Sequence, residues 1–256
     1  MNSAEWNAEL YRRISNPQFE WGKRVVDRLE LRGDEHVMDA GCGSGRLTAE
    51  LLERLPRGQV TAVDLSLNML ESARQSLKPR YRKRVRFAQA DLARLPFDED
   101  FDGIFSTAAF HWVKDHKALF QGLFRALRRG GWLEAQFGGG ANLARLRELA
   151  AEFMASPQIR PFFQGWEEPW EYPDAETTEH RMLAAGFVDV KAWLEPAPLE
   201  LPSDEAYRQY LAAVVFHRHL PRLPDRHKEE FLDALVKGGS RKLDYWRLNL
   251  QGRKGR

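Results

Sequence analysis

Apolar and polar positions alternate along the chain in two distinct rhythms. Leu47, Leu51 and Leu55 recur at the spacing of one helical face, whereas residues 59–64 form a short run of β-branched and apolar side chains. Over the first part of the chain these rhythms predict an opening helix at 20–31 and strands, separated by helices, at 35–39, 59–64, 85–90, 101–105 and 132–137. A regular alternation of strand and helix predicts right-handed crossovers and a parallel sheet.

The second half of the chain is less regular. In chain order its predicted elements are a helix over 141–155, a loop rich in proline and tryptophan over 156–173, a helix over 177–185, a strand over 187–194, two helices within 203–237 and a strand over 243–251. Gly186 is expected to end its helix in a left-handed conformation, and Pro221 and Pro224 mark the break between the last two helices.

Composition narrows the functional classes. Hydrophobic residues make up 43% of the 256 residues and charged residues 30%, which is typical of a folded protein rather than a disordered one. The net charge of +2 supplies no global field for a nucleic acid or an acidic membrane. One cysteine excludes an intrachain disulfide, no secretory leader is visible, and no apolar stretch approaches the ~18 residues of a membrane span. The expected location is the cytoplasm, without membrane insertion.

A glycine-rich turn, DAGCGSG at residues 39–45, lies between the first predicted strand and a helix. Glycines allow a tight turn and the close approach of a ligand, and the N-terminus of the following helix favours an anionic group. Asp64 ends the second strand 23 residues after Gly41 (64 − 41), near the ~20-residue spacing at which an acid binds ribose hydroxyls. The pair favours nucleoside binding over the alternatives, a purely structural turn and a helix cap.

The turn departs from the best-known nucleotide-binding patterns. Arg46 stands where the dinucleotide fingerprint has glycine or alanine, and the chain contains no glycine-lysine-serine/threonine loop for ATP or GTP. Four segments in order instead resemble the motifs of class I S-adenosylmethionine-dependent methyltransferases. They are VMDAGCGSG at 37–45, VDLS at 63–66, ADL at 90–92 and GGWL at 130–133. FHWV at 110–113 and LDYWRLN at 243–249 are similar to the trans-aconitate and malonyl-carrier-protein methyltransferase branch.

The resemblance implies a Rossmann-like, doubly wound α/β fold with a seven-stranded, mostly parallel sheet, an antiparallel final strand and a helical cover. It implies S-adenosylmethionine as the cofactor, with Asp64 on the ribose, Leu65 against the adenine and the glycine turn at the methionine end. The full set of implied cofactor contacts is Asp39, Gly41, Cys42, Gly43, Asp64, Leu65, Met69, Asp91, Leu92 and Ser106. The expected partner is a small-molecule substrate, and the pattern predicts no particular oligomeric state.

The chemistry of methyl transfer asks little of the protein beyond positioning. In-line displacement mainly requires the nucleophile and the methyl group to be held about 3–3.5 Å apart, and a carboxylate acceptor is already ionised at neutral pH. For a hydroxyl acceptor His111 is the first candidate base, the alternative being that it only shapes the pocket. Further candidates for the acceptor pocket, which equally suit plain aromatic packing, are Tyr11, Trp21, Phe110 and Trp112.

A single domain over residues 1–256 is expected, in three parts. Residues 1–32 form an N-terminal helical lid, 33–138 the cofactor-binding core, and 139–256 the rest of the sheet with helical acceptor-site insertions at about 141–182 and 203–240. None of the eight tryptophans lies between residues 22 and 111, so the aromatic mass is expected in the segments that enclose an acceptor.

Two other functions stay open at this point. Seven basic residues between Arg74 and Arg86 have no acid among them, which suits an RNA methyltransferase, but a solvated helix end is favoured because Tyr81 is the sole aromatic residue among them. A non-catalytic S-adenosylmethionine-binding accessory protein is the second alternative. No metal is expected, since His217 and His219 fall on different helix faces without a completing ligand set.

Overall fold

Seven strands form one sheet in the computed structural model, which describes residues 16–256. In chain order they are β1 His36–Ala40, β2 Gln59–Asp64, β3 Val85–Gln89, β4 Phe101–Thr107, β5 Leu127–Gly138, β6 Val188–Pro196 and β7 Trp246–Arg253. Their spatial order is β3-β2-β1-β4-β5-β7-β6, and β7 runs antiparallel to both of its neighbours. The predicted doubly wound, mostly parallel sheet with an antiparallel final strand is confirmed.

Eight α-helices connect and cover these strands within the described residues. They are α1 Asn16–Arg28, α2 Arg46–Arg54, α3 Leu67–Tyr81, α4 His116–Ala126, α5 Ala144–Ala155, α6 Ala175–Ala184, α7 Asp204–Tyr210 and α8 Asp225–Gly238. A π-helical turn, Leu211–Val215, continues α7. None of the helices in residues 16–256 is long and apolar enough to cross a membrane.

Local sequence explains where several helices begin. Ser66, Asp115, Asp174 and Ser203 stand directly before α3, α4, α6 and α7, and each side chain accepts a hydrogen bond from a backbone N–H in the first turn. Such caps satisfy donors that have no partner inside the helix. Gly186 follows α6 at φ +103°, a conformation that favours glycine.

Two layers of helices cover the faces of the sheet. On one face α1, α2 and α3 pack against β1 and β2 through residues such as Val26, Leu51 and Leu77. On the other face α4 packs through Leu119 and Phe120 against β4, β5 and β7. Because the central strands are covered on both sides, they are apolar almost throughout, as parallel strands usually are.

The helical cover has a hydrophobic cluster of its own, formed by α5, α7 and α8. Tyr207, Phe231 and Tyr245 lie in it, together with Trp21 from α1 and Trp170 from the loop before α6. The cover that the sequence predicted is therefore present, and much of the aromatic mass lies in it.

The predicted strand over residues 243–251 is two strands. Lys242–Leu243 pairs with Leu199–Glu200 in a separate two-stranded sheet, and only Trp246–Arg253 joins the main sheet. Tyr245, between the two, is buried, and its ring lies 5.0 Å from that of Trp21. Because the Tyr245 side chain packs into the helical cover, the predicted strand is interrupted at this residue.

The order of the central strands places a ligand site. From β1 the chain builds outward to β2 and β3, and then returns to place β4 on the opposite side of β1. Such reversal points leave a crevice at the carboxyl ends of the two strands, and ligands bind there in open α/β sheets. The turns after Ala40 and Thr107 meet at this crevice.

Candidate active site

The glycine-rich turn connects β1 to α2 with three glycines in the left-handed region, at φ +83° for Gly41, +53° for Gly43 and +82° for Gly45. A Cβ on Gly41 would lie 2.3 Å from the Cβ of Ala109, and one on Gly45 would lie 2.7 Å from Cδ1 of Leu77. Packing therefore excludes side chains at these two positions. A Cβ on Gly43 would meet no atom within 4 Å, so the backbone there faces open space that a ligand can approach closely.

Asp64 lies beside this turn, at the end of the neighbouring strand β2. Its Oδ2 accepts a hydrogen bond from the N–H of Gly43 at 2.9 Å, and its Oδ1 accepts one from the N–H of Ser66, also at 2.9 Å. A carboxylate oxygen accepts more than one hydrogen bond. The geometry holds the carboxylate at the turn in a fixed orientation, as binding to ribose hydroxyls requires.

Asp39 supplies a second acid at the same place. It is buried, and its Oδ2 accepts a hydrogen bond from the hydroxyl of Thr48 at 2.6 Å. Burial raises the pKa of Asp39 to about 7 and the charge of Asp64 acts in the same direction, while the Thr48 hydrogen bond opposes them. A cation bound nearby would lower this pKa again, so the pair of acids suits a positively charged ligand.

The turn, the start of α2 and helix α1 line an open cavity, called the loop cavity below. Its lining residues are Gln18, Phe19, Asp39, Gly41, Cys42, Gly43, Ser44, Arg46, Leu47, Thr107 and Ala108. The guanidinium of Arg46 lies 4.0 Å from the centre of the Phe19 ring and donates to Asn16 Oδ1, which fastens α1 over the cavity. The open glycine backbone and the two acids fit a cationic nucleoside.

A second cavity adjoins the first and is called the aromatic cavity below. Its lining residues are Gln18, Ala108, His111, Trp112, Asn142, Leu143, Trp170, Tyr172, Val214, Val215, Tyr245 and Arg247. Gln18 and Ala108 line both cavities, so the two spaces meet at these residues.

His111 lines the aromatic cavity as a neutral ring. Burial lowers its pKa well below the ordinary value, and the positive charges of Arg247 and Arg218 act in the same direction. Its Nδ1 accepts a hydrogen bond from the N–H of Gly138 at 3.4 Å. The proton of the neutral ring therefore lies on Nε2, which makes His111 a hydrogen-bond donor and a poor base.

Arg247 brings a positive charge to the aromatic cavity. Its side chain is buried, with the guanidinium carbon 4.9 Å from the centre of the Trp21 ring, and its Nε donates to Oε1 of Gln136. Arg218 lies nearby, its guanidinium carbon 5.0 Å from the centre of the Trp112 ring. Two guanidinium groups thus lie close enough to the neutral His111 to lower its pKa.

Comparison with known proteins agrees with this geometry. A family model described as a methyltransferase domain matches residues 37–131. The trans-aconitate 2-methyltransferase of Methylobacterium radiotolerans is 29% identical to the chain and that of Paracidovorax citrulli 35% identical, each alignment covering 91% of this chain and 88% of the relative. The chain belongs to the class I S-adenosylmethionine-dependent methyltransferases.

A solved structure supports the fold of this methyltransferase. It is that of Haemonchus contortus phosphoethanolamine N-methyltransferase 2, in complex with phosphomonomethylethanolamine and S-adenosylhomocysteine, with a TM-score of 0.63 and 18% sequence identity. The match covers 97% of this chain but 57% of the other, so the chain spans little more than half the length of that protein. S-adenosylmethionine is the cofactor of the present methyltransferase.

The predicted cofactor residues fall into two groups in the structure. Asp39, Gly41, Cys42 and Gly43 line the loop cavity, and Asp64 contacts Gly43 directly. The other predicted residues lie around this cavity. Leu65 is exposed, whereas Met69 and Leu92 are buried. Oδ1 of Asp91 accepts a hydrogen bond from the N–H of Ala93, and the hydroxyl of the buried Ser106 donates one to the carbonyl of Ala40. The thiol of Cys42 is directed into a small cluster with Ala62 and Leu70, and burial raises its pKa.

The predicted acceptor residues are also divided. His111 and Trp112 line the aromatic cavity, whereas Trp21 lies behind Tyr245 and Arg247 and supports them. Phe110 does not line the cavity. Its ring is fully buried against Phe120 and Phe137, because the side chains of the three-residue 3-10 helix Phe110–Trp112 point in different directions. This placement corrects the sequence-based expectation. Tyr11 lies outside the described residues.

The basic run between α3 and β3 makes structural contacts. Arg84 donates to the carbonyls of Leu52 and Leu55 at the end of α2, and Arg80 forms an ion pair with Glu53 at 3.0 Å. Part of the positive charge thus serves the packing of α2 against α3. Among residues 16–256, moreover, no three His, Cys, Asp or Glu side chains converge in the way a metal site requires.

Sequence reasoning missed several residues that line the two cavities. The most informative are Gln18, Phe19, Asn142, Tyr172 and Arg247. Arg46, which departs from the dinucleotide-binding fingerprint, also lines the loop cavity. A basic residue in the first turn of a helix is unfavourable beside the helix dipole, and this was a signal in the sequence that Arg46 has a role in the site.

Proposed function

We propose that this methyltransferase transfers the methyl group to a carboxylate oxygen of a small-molecule acceptor bound in the aromatic cavity. The observation that carries the proposal is the buried guanidinium of Arg247 in a cavity that meets the loop cavity at Gln18 and Ala108. The names of the relatives, trans-aconitate 2-methyltransferase, support a carboxylate acceptor.

The polar groups of the aromatic cavity suit an anion. A planar guanidinium binds a carboxylate through two parallel hydrogen bonds, and the Nε2–H of His111 supplies a further donor. Tyr172 and Tyr245 add hydroxyl groups, and burial raises the pKa of both, so both phenols stay protonated at neutral pH. Nothing in this set recognises a nucleobase or a phosphodiester specifically.

A carboxylate acceptor also explains why none of the described residues that line the cavity is a strong base. When bound, S-adenosylmethionine supplies a sulfonium methyl group, and its transfer to a carboxylate oxygen leaves a methyl ester and a neutral thioether, the C–S electron pair remaining on sulfur. The ionised oxygen has no proton to lose, so His111 serves as a positioning donor in this proposal. The contribution of the protein is orientation and exclusion of water.

For cofactor binding we assign distinct tasks to residues that line the loop cavity or lie around it. Asp64 binds the ribose hydroxyls, Leu65 lies against the adenine with Met69, Asp91 and Leu92 around it, and Asp39 stabilises the positive charge at the methionine end. Gly41, Cys42 and Gly43 provide the backbone surface, and Ser106 holds the β1 end in place through its hydrogen bond to Ala40. We also infer that the chain acts as one domain, with α1 as part of an N-terminal lid.

The test is methyl transfer with a panel of small carboxylic acids, trans-aconitate among them, each paired with its amide. We expect release of S-adenosylhomocysteine with acids and none with amides. In Arg247→Met, loss of a charged hydrogen bond worth roughly 1.5–3 kcal/mol should raise the KM for the acid about ten- to hundredfold, with cofactor affinity unchanged.

Arg226→Met is the matched control, since the Arg226 side chain is 85% exposed on α8, where it forms an ion pair with Glu230. Its acceptor KM should stay within about twofold of wild type. Equal activity on acids and amides, or an unchanged acceptor KM in Arg247→Met with the cofactor bound, would contradict the proposal.

A further inference from the structure

Behind Arg247 two buried amide side chains form a hydrogen-bond network that links strands β5 and β7. The Nε of Arg247 donates to Oε1 of Gln136 at 3.4 Å, and Nε2 of Gln136 donates to Oδ1 of Asn249 at 2.8 Å. Gln136 and Asn249 are direct neighbours in the β5–β7 register, and both are buried. Neither side chain lines the aromatic cavity. The network therefore connects a cavity residue to the interior of the sheet.

The orientation of the Asn249 amide is fixed on both sides. Its Oδ1 accepts from Gln136 Nε2 and from Arg28 Nη2, the latter at 2.9 Å. Its Nδ2 donates to Oε2 of Glu195 at 3.1 Å and to the carbonyl of Arg247 at 3.4 Å. Rotating the amide by half a turn would place its NH₂ group against two donors and its oxygen against two acceptors, so one orientation is strongly preferred.

This fixed orientation determines the next one. Because Asn249 presents an oxygen to Gln136, Gln136 must present its NH₂ group in return, and its own oxygen is then left for the Nε of Arg247. A guanidinium held through Nε presents its remaining N–H groups in a defined plane. The network also joins four elements, since Arg28 belongs to α1, Glu195 to β6, Gln136 to β5 and Asn249 to β7.

We propose that Asn249 is a positioning residue for the acceptor: through Gln136 it orients the Arg247 guanidinium in the aromatic cavity. The assignment rests on the proposed function, in which Arg247 binds the acceptor carboxylate. Asn249 does not touch the acceptor. We expect its effect to be specific to acceptor binding, because none of the side chains in the network lines the loop cavity.

The test compares two variants. In Asn249→Leu the new side chain has nearly the size of asparagine but no polar atoms, and Gln136→Met removes the hydrogen bonds one step closer to Arg247. Each should raise the KM for the acid acceptor about tenfold, the effect of one lost hydrogen bond of ~1.4 kcal/mol, and leave the Kd for S-adenosylmethionine within about twofold. The double variant should be no worse than either single one, since both remove the same link. Glu195→Gln, which keeps an acceptor oxygen for Asn249, should stay near wild type.

Several results would overturn the assignment. They are an unchanged acceptor KM in Asn249→Leu, an equal loss of cofactor affinity, and additive effects in the double variant. Gln136→Met carries the test alone if Asn249→Leu does not fold.

A readout without any acceptor separates this inference from the proposed function. The Nε–H proton of Arg247, assigned by comparison with Arg247→Lys, should exchange slowly with solvent in the wild type and at least tenfold faster in Asn249→Leu or Gln136→Met. If no acid is methylated but this difference appears, the proposed acceptor fails while the positioning role stands. If the exchange rates are equal, the positioning role fails.

Discussion

Gly43 and Gly130 form a matched pair that tests how the glycine turn binds the cofactor. Both have left-handed backbone, at φ +53° and +77°, and a Cβ on either would meet no atom within 4 Å. Alanine in this region costs roughly 1–2 kcal/mol, partly offset by the lower entropy of the unfolded chain. Gly43→Ala and Gly130→Ala should therefore both lose about 1 kcal/mol of stability, or roughly 2–4 °C in Tm.

The two variants should differ in cofactor binding. Gly43 lines the loop cavity, where an added methyl group would occupy space that the cofactor approaches. Gly130 lies near the N-terminal end of β5, whereas the loop cavity is at the carboxyl ends of the strands. We expect calorimetry to show at least about tenfold weaker S-adenosylmethionine binding in Gly43→Ala, a change of ~1.4 kcal/mol, and unchanged binding in Gly130→Ala. Wild-type affinity in Gly43→Ala would refute the reading of the turn as a close-approach surface, as would equal losses in both variants.

Three further predictions concern charged groups. The pKa of Asp39 is raised to about 7 in the cofactor-free protein, and a bound cation lowers it. Cofactor binding should therefore release protons and weaken as pH falls below 7, by up to ~1.4 kcal/mol per pH unit. Calorimetry on Asp39→Asn should show a cofactor affinity that depends less on pH. Burial lowers the pKa of His217 to about 3, so below pH 6.5 the unfolded state gains a proton that the folded state does not. Urea unfolding at pH 7 and pH 5 should therefore show that the wild type loses more stability on acidification than His217→Phe. Equal losses in the two proteins would contradict this. Arg84→Met should lower the free energy of unfolding by about 1–3 kcal/mol, because two carbonyls at the end of α2 lose their donor. Lys83→Met, at an exposed position, should change it by less than about 0.5 kcal/mol in the same urea experiment.

The parts of the site that were predictable from the sequence depend on local spacing. The turn at 39–45 and Asp64 stand at the ends of two adjacent parallel strands, so a strand-turn-helix pattern and one spacing are enough to bring them together. The strand alternation likewise follows from short-range hydrophobic rhythm, which is why the predicted boundaries of β2 coincide with the observed ones.

The aromatic cavity was less predictable because distant segments form it. Gln18, Asn142, Tyr172 and Arg247 come from four parts of the chain, and only the packing of the cover on the sheet brings them together. One signal was present: Arg247 and Asn249 share a face of a strand whose other face is Leu248 and Leu250. Polar residues on a strand that the topology places inside the sheet are costly to bury and indicate a network or a binding site.

The most direct test of the central claim is the chemistry of the methylated product. With methyl-labelled S-adenosylmethionine and an accepted acid, NMR should show the label on a carboxylate oxygen, as a methyl ester that mild base hydrolyses to labelled methanol. A label on carbon or nitrogen, or an ether that resists base, would contradict carboxylate methylation by this enzyme.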